Sequence, residues 1–386
     1  MGGIKMKNYF KSNTKIIVLI LLTVFFLSAY DSTIAATIQP ETKVKSSPKA
    51  DKHKSEWDKI LQEAKKEGRV VIQGPPGKVY RDAIFSFEKQ YPEIKIEYQG
   101  VTGRDFRPKI ITEQSTGQFL WDITFGPDLP IETLDIFYRD LPETVSGVDN
   151  DKWIKGFDYG FLDVEKKYRY AFTSYVSGVF VNRDFISERD LKNIPDLLNP
   201  IFIDKISWND PRQTGSGAAM GANLLINYGE EFLYKLLSKQ KIAVTLDLRQ
   251  QIDWLVRGTY PVAFGISQGT LNEYKEKGLG LNVKRIEDPK SVNLSQGYGV
   301  VNFVKKAPHI NAAKVFVNWL LSKEGQTIWA TTTGVNSRRI GVPIPSKDQY
   351  PSPDTNYPFL GKEIFLPDRA KAIKIAEKAL ADRNKK

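Results

Sequence analysis

A chain of 386 residues with 41% hydrophobic and 12% aromatic content has the material for sizeable cores and the length for about two domains, which excludes a disordered polypeptide. Its net charge of +11 gathers at the front: residues 1–54 hold nine lysines and three acids, so +6 lies there and +5 in the rest, which gives no support to nucleic-acid binding. The absence of cysteine excludes disulfides and a lipid-attachment site, and two histidines, His53 and His309, leave no material for zinc or copper centres of ordinary type.

In chain order, Lys5, Lys7, Lys11 and Lys15 precede the apolar run Ile16 to Leu27 and the small-residue stretch Ser32-Thr33-Ile34-Ala35-Ala36. That pattern predicts a secretory signal peptide over 1–36, cut after Ala35 or Ala36. The run is shorter than the about 20 residues of a membrane span. Residues 37–54 read as a basic flexible linker. Ser55 is the predicted cap of a helix carrying Trp57, Ile60, Leu61 and Ala64 on one face, with Gly68 as its stop. Arg69 to Gln73 is a strand that ends at Gly74-Pro75-Pro76-Gly77. Tyr80, Ala83, Ile84 and Phe87 repeat the helical spacing before Pro92, and Ile94, Ile96 and Tyr98 alternate as a strand. A helix follows Gly103, and the strand Trp121 to Phe125 ends at Gly126-Pro127-Asp128. This βαβαβ alternation predicts an α/β fold that binds at its strand carboxyl ends.

Tyr168 to Phe172 and Gly178 to Asn182 are two strand-like runs separated by Thr173-Ser174-Tyr175. A second alternating unit then opens at Trp208-Asn209-Asp210-Pro211-Arg212-Gln213-Thr214-Gly215-Ser216-Gly217, ahead of the apolar run Ala218 to Tyr228. A strand that stops at Asp-Pro, followed by glycines and hydroxyls at a helix start, presents unpaired N–H groups and the positive dipole end. Arg212 adds a fork of donors suited to a carboxylate or phosphate. Ile242 to Leu246, a helix around Ile252 to Arg257 with Gly258 at its end, Val262 to Ile266 and Tyr298 to Val304 continue the pattern. Ala312, Val315, Phe316, Trp319 and Leu320 form an amphipathic helix, and Ile364 to Leu380 a basic one.

The run Trp57-x-x-Ile60-Leu61-x-x-Ala64-Lys65-Lys66-Glu67-Gly68-Arg69, the segments Phe87 to Ile96 and Val179 to Asp184, and Ala312 to Gln326, in this order and spacing, resemble the extracellular solute-binding proteins of ABC importers, family 1. The branch they resemble groups iron(III)-, polyamine- and phosphonate-binding proteins. The resemblance implies a type 2 periplasmic-binding fold: two α/β lobes joined by a strand hinge, with a ligand cleft between them. Lobe one would be 55–173 plus 297–335, and lobe two 174–296 plus 336–386. It implies no enzyme and no cofactor; with two histidines and no adjacent tyrosines, no resident metal is expected either. The expected partners are a small-molecule solute and membrane-bound ABC permease subunits, with a monomeric receptor in the periplasm or secreted.

The candidate ligand contacts are Pro76, Gly77, Thr102, Gly103, Gly126, Pro127, Ser174, Tyr175, Arg212, Thr214, Gly215, Ser216, Gly217, Ile266 and Tyr298. Two helix starts, at Thr102-Gly103 and at Thr214 to Gly217, would clamp an anion from opposite lobes. A bulky residue at Gly215 or Gly217 is expected to weaken binding without unfolding the protein. Adjacent tyrosines, common in the iron(III) binders of this kind, are absent, and Gly265-Ile266-Ser267-Gln268-Gly269 offers a neutral loop instead. The sequence therefore points to a small polar, anionic solute. The alternatives are a ligand-sensing protein that serves a receptor, direct iron(III) capture, or a polyamine held by Asp128 and Asp210. A hydrolase would need His53 or His309 beside a serine, and neither is so placed in the sequence.

Overall fold

The computed structural model describes residues 48–126, 133–141 and 150–385. The predicted signal peptide, Pro127 and Asp128 lie outside them. The first half runs α1 (Pro48–Glu67), β1 (Arg69–Gly74), α2 (Lys78–Phe85), α3 (Phe87–Gln90), β2 (Lys95–Gly100), α4 (Gly103–Ser115), β3 (Ile123–Phe125), α5 (Leu134–Phe137), β4 (Tyr138–Arg139), β5 (Tyr170–Ala171) and β6 (Tyr175–Ser177). The second half runs β7 (Phe180–Asn182), β8 (Ile206–Asn209), α6 (Ser216–Lys239), β9 (Ala243–Thr245), α7 (Leu248–Arg257), β10 (Val262–Phe264), α8 (Gln268–Glu276), β11 (Val283–Arg285), β12 (Asn293–Ser295), β13 (Val300–Val304), α9 (Ile310–Leu321), α10 (Lys323–Thr333) and α11 (Leu366–Asn384).

The strands form two mixed sheets. The first has the order β2-β1-β3-β13-β4, with β5 also on β13; β1 is parallel to β2 and β3, and β13 runs antiparallel to β3. The second has the order β11-β7-β10-β8-β9, parallel across β10-β8-β9. Each sheet has its own core. Val70, Ile72, Ile123 and Phe303 pack under α9 and α10 through Phe316, Trp319 and Trp329. Ile206, Trp208, Val262 and Phe264 pack under α6 and α11 through Met220, Leu224, Ile375 and Ala379. Trp208 stacks on Phe264 at 4.3 Å, and its indole N–H donates to the Gly217 carbonyl at 3.1 Å, which pins the start of α6 to the end of β8. Such a ring pair adds about 1 kcal/mol to its burial.

Three stretches of chain pass between the sheets. The first runs through β6 and the second through β12, and these two pair antiparallel as a separate ribbon. The third follows α10, bridging Thr173 to Ser337 and Trp153 to Arg339 before α11 joins the second core. Arg338, fully buried at this junction, donates to the carbonyls of Ala171 (2.9 Å), Ile154 (2.9 Å) and Gly156 (2.8 Å). A Cβ on Gly160 would overlap its guanidinium.

The structure departs from the expected boundaries in three places. Helix α1 begins at Pro48, so Ser55 lies inside it and caps nothing; nothing between Lys49 and Lys54 breaks a helix, and proline suits a first turn. Helix α6 continues past Tyr228 to Lys239, kinked at Gly229 (φ 82°). Tyr175 belongs to a strand, not to a break, because its pairing partner Ser295 is distant in sequence. Gly258, as expected, ends α7 in the left-handed region (φ 77°).

Candidate functional site

The carboxyl ends of the parallel strands in both sheets carry the loops that the sequence singled out. On the first sheet, Gln73 ties three of them together. Its Nε2 donates to the Val101 carbonyl at 2.7 Å, and its Oε1 accepts the Phe125 N–H at 3.1 Å. Asn302, at the centre of β13, donates to the Thr124 carbonyl (3.1 Å) and the Gly126 carbonyl (2.9 Å), and the Thr124 hydroxyl reaches Tyr138 at 3.1 Å. Above this buried network lies a cavity of about 10 Å³, lined by Gln73, Gly103, Arg107, Thr124, Gly126 and Tyr138. It has the size of a single water. Gly103 and Gly126 are thus brought together. Thr102 caps α4, accepting from Asp105 N–H at 3.3 Å and donating to its carboxylate at 2.6 Å. Pro76 and Gly77 are exposed at the start of α2, where Gly77 has φ 119°.

On the second sheet, Asn209 ends β8 and Asp210 follows it. Thr214, Gly215 and Ser216 are exposed, and no side chain caps the first turn of α6. Gly215 takes φ 146°, a conformation open essentially to glycine alone. The Ser216 hydroxyl donates to the Gly265 carbonyl at 2.5 Å, locking this turn to the end of β10.

Three expectations are corrected here. Gly217 is buried against the Asn209 carbonyl, and a Cβ would overlap it, so its absent side chain serves packing rather than ligand access. Arg212 directs its fork not outward but onto Asp210, with Nε to Oδ1 at 2.9 Å and Nη2 to Oδ2 at 2.8 Å. The side chain of Ile266 likewise faces a core with Ile252, Leu255 and Leu271, leaving that loop its main chain and Ser267, which caps α8.

The two sides face each other. Burial works against the Asp210 carboxylate, but the fork and N–H of Arg212 hold it below the usual range, helped by Arg104 at the start of α4 on the first sheet. Across the same gap, the place of a Cβ on Gly269 lies 2.5 Å from the hydroxyl of Tyr80, and Asn272 donates to the Gly334 carbonyl at 3.2 Å. Tyr80 packs edge-on against Tyr298 at 5.2 Å, and the ring of Tyr175 lies against Gly297. Ser174, beside it, is buried, its N–H donating to the Asn336 carbonyl at 3.3 Å. Burial raises the phenols of Tyr80, Tyr98 and Tyr175, so all three stand as neutral hydroxyls. Tyr80, Arg104, Gln73 and Asn302 were missed in the sequence. The available signal was a polar residue inside or ending an apolar strand, as at Gln73, Thr124 and Asn302.

His309 lies at the opposite end of the first sheet. Its Nδ1 meets Asp122 at 2.9 Å and its Nε2 accepts from Arg69 at 3.0 Å, so both ring nitrogens are committed and neither faces a serine.

Residues 52–327 match the family described as bacterial extracellular solute-binding protein. A curated protein of Haemophilus influenzae, itself uncharacterized, is 27% identical over 168 residues; the match spans 40% of this chain and 47% of that protein, so about half its length. Iron-bound HitA from Pseudomonas aeruginosa is 18% identical with a TM-score of 0.60, covering 81% of this chain and 99% of its own. AfuA from Actinobacillus pleuropneumoniae, a periplasmic binding protein with fructose-6-phosphate bound, is 19% identical with a TM-score of 0.59 over 82% and 99%. Likeness at this level establishes the fold, the type 2 periplasmic-binding architecture of two α/β lobes.

Proposed function

The chain belongs to the bacterial extracellular solute-binding protein family, and from that premise we propose that it captures a small anionic solute between its lobes and delivers it to an ABC permease. Members of this family bind a solute and do not transform it, so the event is closure of the lobes, a population shift driven by tighter binding to the closed state. The observation that supports the anion reading is the approach of two helix starts: the uncapped α6 follows Asp210, and Arg104 in the first turn of α4, itself paired with Asp105 at 3.6 Å, lies close enough to act on that carboxylate. Main-chain N–H groups and the dipole ends of both helices favour negative charge there. The contacts proposed are the main chain at Gly103, Gly126 and Thr214 to Ser216, with Arg104, Tyr80, Tyr175 and Tyr298 around them.

HitA holds iron and AfuA a sugar phosphate; the second kind of ligand suits these residues better. Iron(III) favours phenolates, and the buried tyrosines here would each have to lose a proton whose departure burial opposes. Among the described residues no group of three His, Cys, Asp or Glu is arranged to hold a metal.

Native mass spectrometry and thermal shift of the chain expressed from Thr37, against phosphate esters, organic acids, oxyanions, polyamines and iron(III), test the reading. A true ligand at a hundred times its dissociation constant stabilises the fold by about 2.7 kcal/mol. Stabilisation by anionic solutes is the expected result. A response confined to iron(III) or to polyamines overturns it.

A further inference from the structure

Where the passing segments meet, one aromatic ring gathers three cations. Lys362 Nζ lies 4.0 Å from the centroid of Tyr159, Lys155 Nζ 5.3 Å, and the guanidinium of Arg338 5.5 Å. Arg338 is fully buried, and its donors meet the carbonyls already described and the Tyr170 hydroxyl. Those dipoles satisfy its two Nη groups, while its buried Nε has no hydrogen-bond partner and its charge is left unneutralised. The carboxylates nearby in sequence are committed elsewhere: Asp158 pairs with Lys166 at 3.1 Å, and Glu363 accepts the Val164 N–H at 2.7 Å. Neither Lys155 nor Lys362 has an ion-pair partner among the described residues.

We propose that Lys155 and Lys362, over Tyr159 and the buried Arg338, form a second anion site that takes a small multivalent oxyanion of the inorganic phosphate class. Both ammoniums stand over one ring, so at 4.0 and 5.3 Å from its centroid they are at most about 9 Å apart. Charge-assisted hydrogen bonds of about 2.8 Å let one phosphate bridge two ammoniums at separations below that limit. Burial first, then Arg338, Lys166 and Lys155, push the Lys362 ammonium down to about 8. A bound anion restores its proton, so affinity falls as pH rises through that value. Lys155 belongs to the first lobe and Lys362 to the segment returning from it, so occupancy ties the two together beside the ribbon of β6 and β12.

The test follows acylation of Lys362 by an amine-reactive reagent, read by peptide mass spectrometry at pH 7.5, as inorganic phosphate is titrated against chloride at constant ionic strength. Phosphate is expected to protect Lys362 where chloride does not. Lys155→Gln is expected to weaken that protection roughly tenfold, the loss of one charge-assisted bond, and Arg104→Gln in the cleft to leave it intact. Equal protection by chloride, or protection indifferent to Lys155→Gln, overturns the site. Protection lost with Arg104→Gln places the phosphate in the cleft and equally overturns it, while the proposed transport function would stand.

Discussion

Gly217 is seated on the main-chain carbonyl of Asn209, with no room between them for a methyl group. The contact is backbone against backbone, so a side chain there cannot be accommodated by a rotamer change. Gly217→Ala is therefore expected to destabilise the protein by about 3 kcal/mol, at the upper end of overpacking costs. Denaturant unfolding would check this; an unchanged midpoint would show that β8 and α6 are not locked together. Gly215→Ala meets only Asn209 Oδ1, at 3.9 Å, but inherits φ 146°, and should cost about 1–3 kcal/mol through strain.

Asp210 offers a test of the sign of the ligand. Converting it to asparagine removes the partner of Arg212 and the carboxylate ahead of α6 on which Arg104 of α4 also acts. An anionic solute should then bind as well or better, while a polyamine should bind at least tenfold more weakly. Titration calorimetry of Asp210→Asn separates the two. The pair also carries a pH dependence. The folded carboxylate lies below its unfolded value of about 3.9, so its stabilisation is present above that pH and is lost as pH falls through the lower folded value. Asp210→Asn should accordingly flatten the acid limb of a stability-against-pH curve.

Tyr80→Phe keeps the ring that packs on Tyr298 and Trp329 and deletes the hydroxyl facing Gly269. Stability should change by less than about 1 kcal/mol. If the hydroxyl serves the solute as a neutral donor, affinity should fall about tenfold with no charge-transfer absorbance on adding iron(III) to the parent protein. Such a band would show phenolate ligation and sink the neutral-donor assignment.

Gly160→Ala should expel the Arg338 guanidinium from its carbonyl cradle. A displaced buried charge is costly, and a loss of about 3–5 kcal/mol is expected. Differential hydrogen exchange should localise it to β5 and the returning segment; a uniform loss would argue against Arg338 as the tie between them.

What the sequence disclosed was what local patterning encodes. Helices such as that of Ala312 to Leu320 and strands such as Val70 to Ile72 follow from periodicity, and the two-lobe fold followed from the order of motifs. The ribbon of Tyr175–Ser177 with Asn293–Ser295 was hidden, because strand pairing across such a separation leaves no local trace. Arg212 was misread although the signal stood two residues upstream, in Asp210. Gly217 was misread for a different reason: a glycine that admits a ligand and one that admits a neighbouring backbone look alike in sequence. The tyrosines from 80, 98, 175 and 298 converge only in three dimensions.

Strand β13, which joins β3 to β4 in the first sheet, is made only after the whole second sheet. Helix α11, which supplies Ile375 and Ala379 to the second core, is made later still. Neither lobe is therefore complete on an emerging polypeptide until its far end has been synthesised. Such threading makes the completion of both halves wait on the same late-made stretch of chain.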